Sequence, residues 1–171
     1  KSHPYQTVLC QLEDKLPSFI AAFRRGNGVL VEEQIICGLC MDEIEIRKGL
    51  LTFSQTVSLI GLIKGPITVQ NVEELFKEDL DGKMATKVMM TFLVTLDGTT
   101  AIPLCWEPTK GSNGLDHLRM VSDMLGTLTK YLIKPVFVST DGITQCKNFV
   151  DGLSVLPQPI CFLADPVHSV K

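Results

Sequence analysis

Apolar residues recur along this chain in two rhythms, and the switch between them predicts most of the fold. Ile35 to Asp42 is a nearly unbroken apolar run. Read with a period of two, it is apolar on both faces, as a buried central strand requires. Thr56 to Ile63 is a second strand candidate, closed by Gly65-Pro66. Lys87 to Leu96 and Thr100 to Trp106 are two more, and Asp97-Gly98 between them is a strong hairpin signal. Pro103 has no N–H to give to a ladder, so its strand must lie at an edge or bulge. The rhythm then changes. Leu115, Leu118, Val121, Leu125, Leu128 and Leu132 repeat at spacings of three and four, which predicts a helix over Asn113 to Leu132 with Ser112 or Asn113 as its cap. Pro135 opens a short buried strand, Val136 to Thr140. A helix over Thr144 to Leu153, a turn at Pro157 to Pro159 and a last strand, Ile160 to Ala164, complete the series. Two shorter helices are expected, Pro17 to Arg25 and Asn71 to Glu78, the first ended by Gly26-Asn27-Gly28 and the second capped by Asn71.

Antiparallel strands come first, and alternating helices and strands follow. This order predicts an α/β fold: a mixed sheet, antiparallel hairpin plus parallel strands, with flanking helices and right-handed crossovers. A chain of 171 residues with 45% hydrophobic and 20% charged positions can bury one real core, which excludes wholesale disorder. The expected division is a lead-in with a short helix over residues 1–30 and a main domain over 31–171. No apolar run reaches the roughly 18–20 residues that span a bilayer, so no membrane partner is expected. The net charge of -3 supplies no overall attraction to nucleic acid, and basic residues form only small clusters such as Arg24-Arg25 and Arg47-Lys48. Any grip on DNA would come mostly from elsewhere. Cys37, Cys40, Cys105 and Cys161 lie in apolar runs, where thiols act as small hydrophobes. Cys37 and Cys40 face opposite sides of a strand and lack a second ligand pair, so a zinc site is not expected. Reduced thiols imply an intracellular protein. The chain opens without Met and stops after Val170-Lys171, so a piece of something larger is expected.

The chemistry sits where strands stop. Asp42 closes the first strand, Asp141 the strand Val136 to Thr140, and Asp165 the last. Carboxylates at neighbouring strand tips project into the crevice where such sheets bind ligands. Mg²⁺ prefers carboxylate oxygens plus water and phosphate, and paired ions about 3.5–4 Å apart assist phosphodiester cleavage. Asp141-Gly142 is equally an ordinary turn, and Asp165-Pro166 an ordinary strand exit. Glu43 should face away from Asp42 into solvent. His168 could bind metal, orient a carboxylate or contact phosphate, or simply be a surface histidine. His117 reads as a helix-face residue, and Trp106 as core or rim. Nucleotide-cradling glycine loops and a nucleophile elbow are absent.

Three strings together resemble a family. Asp42-Glu43-Ile44-Glu45-Ile46-Arg47-Lys48-Gly49-Leu50 resembles the "D-E-M-x-I-K" stretch of P-element-type transposases, including their THAP-domain relatives. Val138-Ser139-Thr140-Asp141-Gly142 resembles their "V-x-S-D-G" strand end, and Phe162 to Lys171 their "F-x-D-P-P-H-L-x-K" motif. Pro17-Ser18-Phe19 also resembles the start of that domain. The resemblance implies the N-terminal part of a ribonuclease-H-like catalytic domain. It implies Mg²⁺ or Mn²⁺ held by Asp42 and Asp141, with Asp165 as a further candidate ligand and His168 in a motif of unassigned role. The implied activity is metal-dependent DNA strand cleavage and transfer by a nuclear, full-length parent, which would act on transposon ends and could be a homo-oligomer. The family's last catalytic acid is a Glu on a later helix, so this chain alone should be inactive or nearly so. GTP would enter only through a downstream inserted domain, and the DNA-binding zinc domain would precede Lys1. Val167 replaces the second Pro of the last motif, and Thr140 the Ser before Asp141; neither change removes a metal ligand. The alternative is a domesticated, catalytically inactive descendant serving as an interaction module.

Overall fold

The computed structural model describes residues 16–18, 20–30, 32–49, 51–53, 58–63, 67–68, 80–98, 101–141 and 146–164. Its centre is a five-stranded sheet. In chain order the strands are β1 (Ile35–Glu45), β5 (Lys87–Thr95), β6 (Ala101–Thr109), β7 (Ile133–Thr140) and β8 (Cys161–Ala164), and in space they run β6-β5-β1-β7-β8. β1 pairs antiparallel with β5 and parallel with β7; β5 and β6 are antiparallel, and β7 and β8 parallel. This is the mixed sheet that the element order predicts. A smaller three-stranded sheet, β2 (Leu51–Phe53), β3 (Ser58–Ile60) and β4 (Ile67–Thr68), takes the place of the single strand expected over Thr56 to Ile63.

The helices are α1 (residues 20–27), a single turn α2 (Leu80–Lys83), α3 (Gly114–Lys130) and α4 (Cys146–Leu153). Asp81-Gly82, a dipeptide common in turns, lies inside α2. The helix expected over Asn71 to Glu78 lies outside the described residues. α3 starts where the sequence says it should. The Asn113 side chain accepts from the N–H groups of Leu115 and Asp116 at 2.9 and 3.1 Å, and Asp116 accepts from the Asn113 N–H at 3.0 Å, a reciprocal capping box. It ends at Tyr131, and Leu132 follows with a φ of 57°. The hairpin turn forms as Asp97-Gly98 predicts: Gly98 has a φ of 69°, and its N–H donates to the Thr95 carbonyl at 3.0 Å. Pro103 is both at an edge and beside a bulge, since β6 is the outermost strand and its register against β5 shifts between Thr91 and Phe92.

The two faces of the sheet have different fates. Alternate residues Cys37, Leu39 and Met41 of β1, with Met89 and Leu93 of β5 and Val138 of β7, pack under Ile20 of α1, Met120, Val121, Met124 and Leu128 of α3, and Phe149 and Leu153 of α4 in one continuous core. Burying these side chains stabilises by roughly 1.5–3 kcal/mol each. The other face is open: Ile36 and Ile44 of β1, Trp106 of β6 and Leu163 of β8 are each 40–48% exposed. Trp106 is therefore a rim residue. Arg24, read as half of a basic cluster, is buried instead. Its guanidinium donates to the Leu30 carbonyl and, at 2.8 Å, to the Glu33 carbonyl, which fixes the approach to β1.

Candidate functional site

Asp42 lies on β1 and Asp141 directly follows β7, its parallel neighbour, so the chain directions carry both toward the same end of the sheet. The register of the two strands ends with Met41 opposite Thr140. Asp42 and Asp141 are the residues that follow these two in the chain. Thr140 is buried on the helix side with Met41; Asp42, the next residue of β1, falls to the open side by alternation, and Asp141 lies in the bend just past β7. Asp42 is exposed and Asp141 half-buried. One expectation needs correcting. Asp42 does not close β1, which continues to Glu45. Past Met41 the strand loses β7 and keeps only β5, pairing Asp42 with Met90, Ile44 with Val88 and Glu45 with Lys87. Asp42 therefore stands where one flank of β1 opens. Asp165 and His168 lie outside the described residues; β8 ends at Ala164, which is paired with Thr140.

Two carboxylates are suitable donors for a hard divalent cation that keeps several waters. Among the described residues no group of three or more His, Cys, Asp or Glu side chains is arranged to hold an ion. The pair would share a metal with donors from outside those residues.

Sequence reasoning missed what lies on the opposite face of the same strand tip. Glu43 does face away from Asp42, but not into solvent: its side chain is only 17% exposed. Its Oε1 accepts from the Ser112 backbone N–H at 2.6 Å and from the Ser112 hydroxyl at 2.5 Å, and its Oε2 receives Lys87 Nζ at 3.2 Å. Burial alone would raise the Glu43 carboxyl; the Ser112 and Lys87 hydrogen bonds and the Lys87 charge outweigh it and hold the group below its ordinary range. The Ser112 oxygen also lies 2.7 Å from His117 Nε2. Because the Ser112 hydroxyl proton is committed to the carboxylate, the His117 contact requires a proton on Nε2, which both the neutral Nε2–H tautomer and the imidazolium carry. His117 is buried, not a helix-surface residue, and its ring meets Phe149 edge-on at 5.9 Å. Burial pushes its pKa down, against the opposing pull of Glu43, Asp116, Asp141 and Glu107. The signal that could have found this cluster was the cap: Asn113 takes the capping role, which leaves the Ser112 hydroxyl for another partner.

Nearby, Glu107 of β6 is buried and receives Arg119 of α3 at 2.8 and 3.0 Å. Burial raises Cys37 to about 12 and Cys105 to about 11, so neither is a thiolate near neutral pH.

Comparison with known proteins bears on the family and the fold. The sequence matches the family described as "TNP-like, RNase H N-terminal domain" over residues 24–154. The fold matches a chain in the Drosophila P element transposase strand transfer complex with a TM-score of 0.52 and 12% sequence identity, covering 81% of this chain. This chain spans 28% of the length of that one. No curated protein sequence matches.

Proposed function

Since this chain belongs to the TNP-like RNase H N-terminal domain family, we propose that it forms part of the catalytic core of a DNA transposase. In this reading Asp42 and Asp141 hold Mg²⁺ or Mn²⁺, Asp165 is a further donor, and the substrate is the DNA at transposon ends. The full-length protein would then act in the nucleus. The observation that carries the reading is the parallel register of β1 and β7, in which two acids far apart in sequence follow the paired residues Met41 and Thr140.

Bound metal would supply Lewis-acid stabilisation of the phosphodiester oxygens and an activated attacking hydroxyl. The chain's own part is to fix donors. Asp42 offers its carboxylate at the open flank of β1, and Asp141 offers one from the turn after β7. The helix-side core below them packs residues of both strands, β1 and β7, in one cluster. A third acid from beyond this chain would complete the set, and DNA affinity would come largely from basic regions outside it.

The test has two parts. Mn²⁺ binding to the 171-residue chain, followed by electron paramagnetic resonance, should be lost in Asp42→Ala and in Asp141→Ala. In the full-length parent the same substitutions should abolish Mn²⁺-dependent nicking of transposon-end DNA. A parent that neither binds Mn²⁺ nor nicks DNA would overturn this reading in favour of a non-catalytic interaction module.

A further inference from the structure

Glu43 follows a row of hydrophobic residues and precedes exposed Glu45 at the strand end. Cys37, Leu39 and Met41 precede it on the helix-facing side of β1, and its direct partner on β5, Met89, is fully buried. A side chain used only to seal the core would be apolar here. Instead a carboxylate is largely buried, a costly choice unless donors meet it. Three do so: the N–H and hydroxyl of Ser112 on one oxygen, and Lys87 Nζ on the other.

These donors come from two directions. Lys87 opens β5 and lies beside the tip of β1. Ser112 immediately precedes the cap of α3, 69 residues away in sequence. Ser112 is itself held by His117, one turn into α3, whose ring is braced by Phe149 of α4; Phe149 in turn meets Phe162 of β8 edge-on at 6.0 Å. The peptide between Asp42 and Glu43 is therefore tied, through one side chain, to β5, α3, α4 and β8. This tie falls on the stretch of β1 that has lost its β7 neighbour.

We propose that Glu43 is the positioning residue for Asp42: clamped from the helix side by Ser112 and Lys87, it fixes the free-flanked tip of β1 and so the direction in which the Asp42 carboxylate leaves the opposite face. The inference rests on the metal-holding role proposed for Asp42. Glu43 touches no metal or substrate. Its influence runs through the backbone it shares with Asp42, as partners beyond the ligands orient a metal's donors in other sites.

Mn²⁺ titration of the 171-residue chain by electron paramagnetic resonance tests this, with thermal melting of the metal-free protein alongside. Ser112→Ala and Glu43→Gln are the probes, and Ile160→Val, in the core away from the clamp, is the control for lost stability. Removal of such an orienting partner typically weakens metal binding by about 10-fold or more, and Ser112→Ala should do so while Ile160→Val leaves the affinity unchanged. Glu43→Gln keeps an acceptor for Ser112 but loses the Lys87 charge pair, so it should fall between wild type and Ser112→Ala. Should a probe fail to fold, the other carries the test. Wild-type binding with both probes unchanged would overturn the positioning role and leave the metal reading intact. Absence of Mn²⁺ binding by the wild type would overturn both.

Discussion

Replacing Gly38 by Ala tests the packing that aligns the two central strands. Gly38 of β1 is paired with Phe137 of β7, at the point where the register between them shifts. A Cβ built on Gly38 would fall 2.0–2.4 Å from three atoms of the Phe137 ring. Ordinary carbon contacts lie at about 3.5–4.0 Å, so the ring would have to withdraw by roughly 1.5 Å. Two effects then compete. Ala reduces the freedom of the unfolded chain, worth about 0.4–1 kcal/mol in favour of folding where the backbone conformation suits it. Against this stands overpacking, which costs about 1–3 kcal/mol. Phe137 is half-buried on the open face and can swing toward solvent, so the cost becomes lost ring burial, and a net loss of about 1–2 kcal/mol is expected. For a domain of this size that lowers Tm by roughly 3–6 °C. In a Phe137→Ala background the obstacle is gone, and Gly38→Ala should become neutral or stabilising. Thermal melts of the four proteins of this cycle give the coupling directly. Stabilisation by Gly38→Ala in the wild-type background, or an equal loss in both backgrounds, would refute the steric account.

Three further outcomes are expected. The Thr140 hydroxyl is buried and has no hydrogen-bond partner among the described residues, so Thr140→Val should stabilise by about 1 kcal/mol through removal of an unmet polar group; a loss of stability in urea melts would mean that the hydroxyl has work to do. His117 is held below its ordinary 6.5, so its contribution to stability is complete above that pH and is lost as pH falls below it, while Glu43, held below 4.5, adds a second loss only at pH below that value; Tm measured from pH 8 to 3 should fall in these two stages, and His117→Phe should remove the first. An aromatic disulfide reagent at pH 8 should modify exposed Cys161 quickly and leave Cys37 and Cys105 untouched until denaturant is added.

The elements most legible in the sequence are those whose order is enforced locally. β1, the Asp97-Gly98 hairpin and α3 follow from periodicity and turn chemistry, which act over a few residues. β2 to β4 are two or three residues each, too short to carry a period. The helical stripe was legible in kind but not in phase. Leu115 and Leu132 are exposed, and His117, Met120 and Met124 take buried places around Val121, Leu125 and Leu128. Leu132 drops out because α3 has already ended and its backbone is left-handed. His117 enters because a partner, Ser112, meets its ring nitrogen. Glu43 was placed on the correct face but given the wrong surroundings, since its partner Ser112 arrives from a distant part of the chain and leaves no mark in the local alternation. Asp42 and Asp141 were legible as candidates because the carboxylates follow apolar runs; their relation to each other depends on which strands become neighbours.

That relation is made by topology and by one irregularity. Of the two neighbours of β1, only β7 runs parallel to it, so only β7 can bring its final residues to the end where Asp42 stands. Parallel direction alone would not make the two acids level. Cys37 is opposite Pro135, and an unbroken register from there would set Met41 against Ser139 and Asp42 against Thr140. The shift at Gly38 passes over Val136, so that Gly38 meets Phe137 and Met41 meets Thr140. From there, Asp42 is the next position on β1 and Asp141 the first residue past β7. The same shift keeps Val138 and Thr140 on the buried side with Leu39 and Met41. A slip of one residue would turn those side chains outward. Burial of the core and alignment of the two acids are therefore one constraint: the bulge that preserves the first also produces the second. Gly38, with no side chain to oppose the Phe137 ring, is the residue that lets the two strands close at that point.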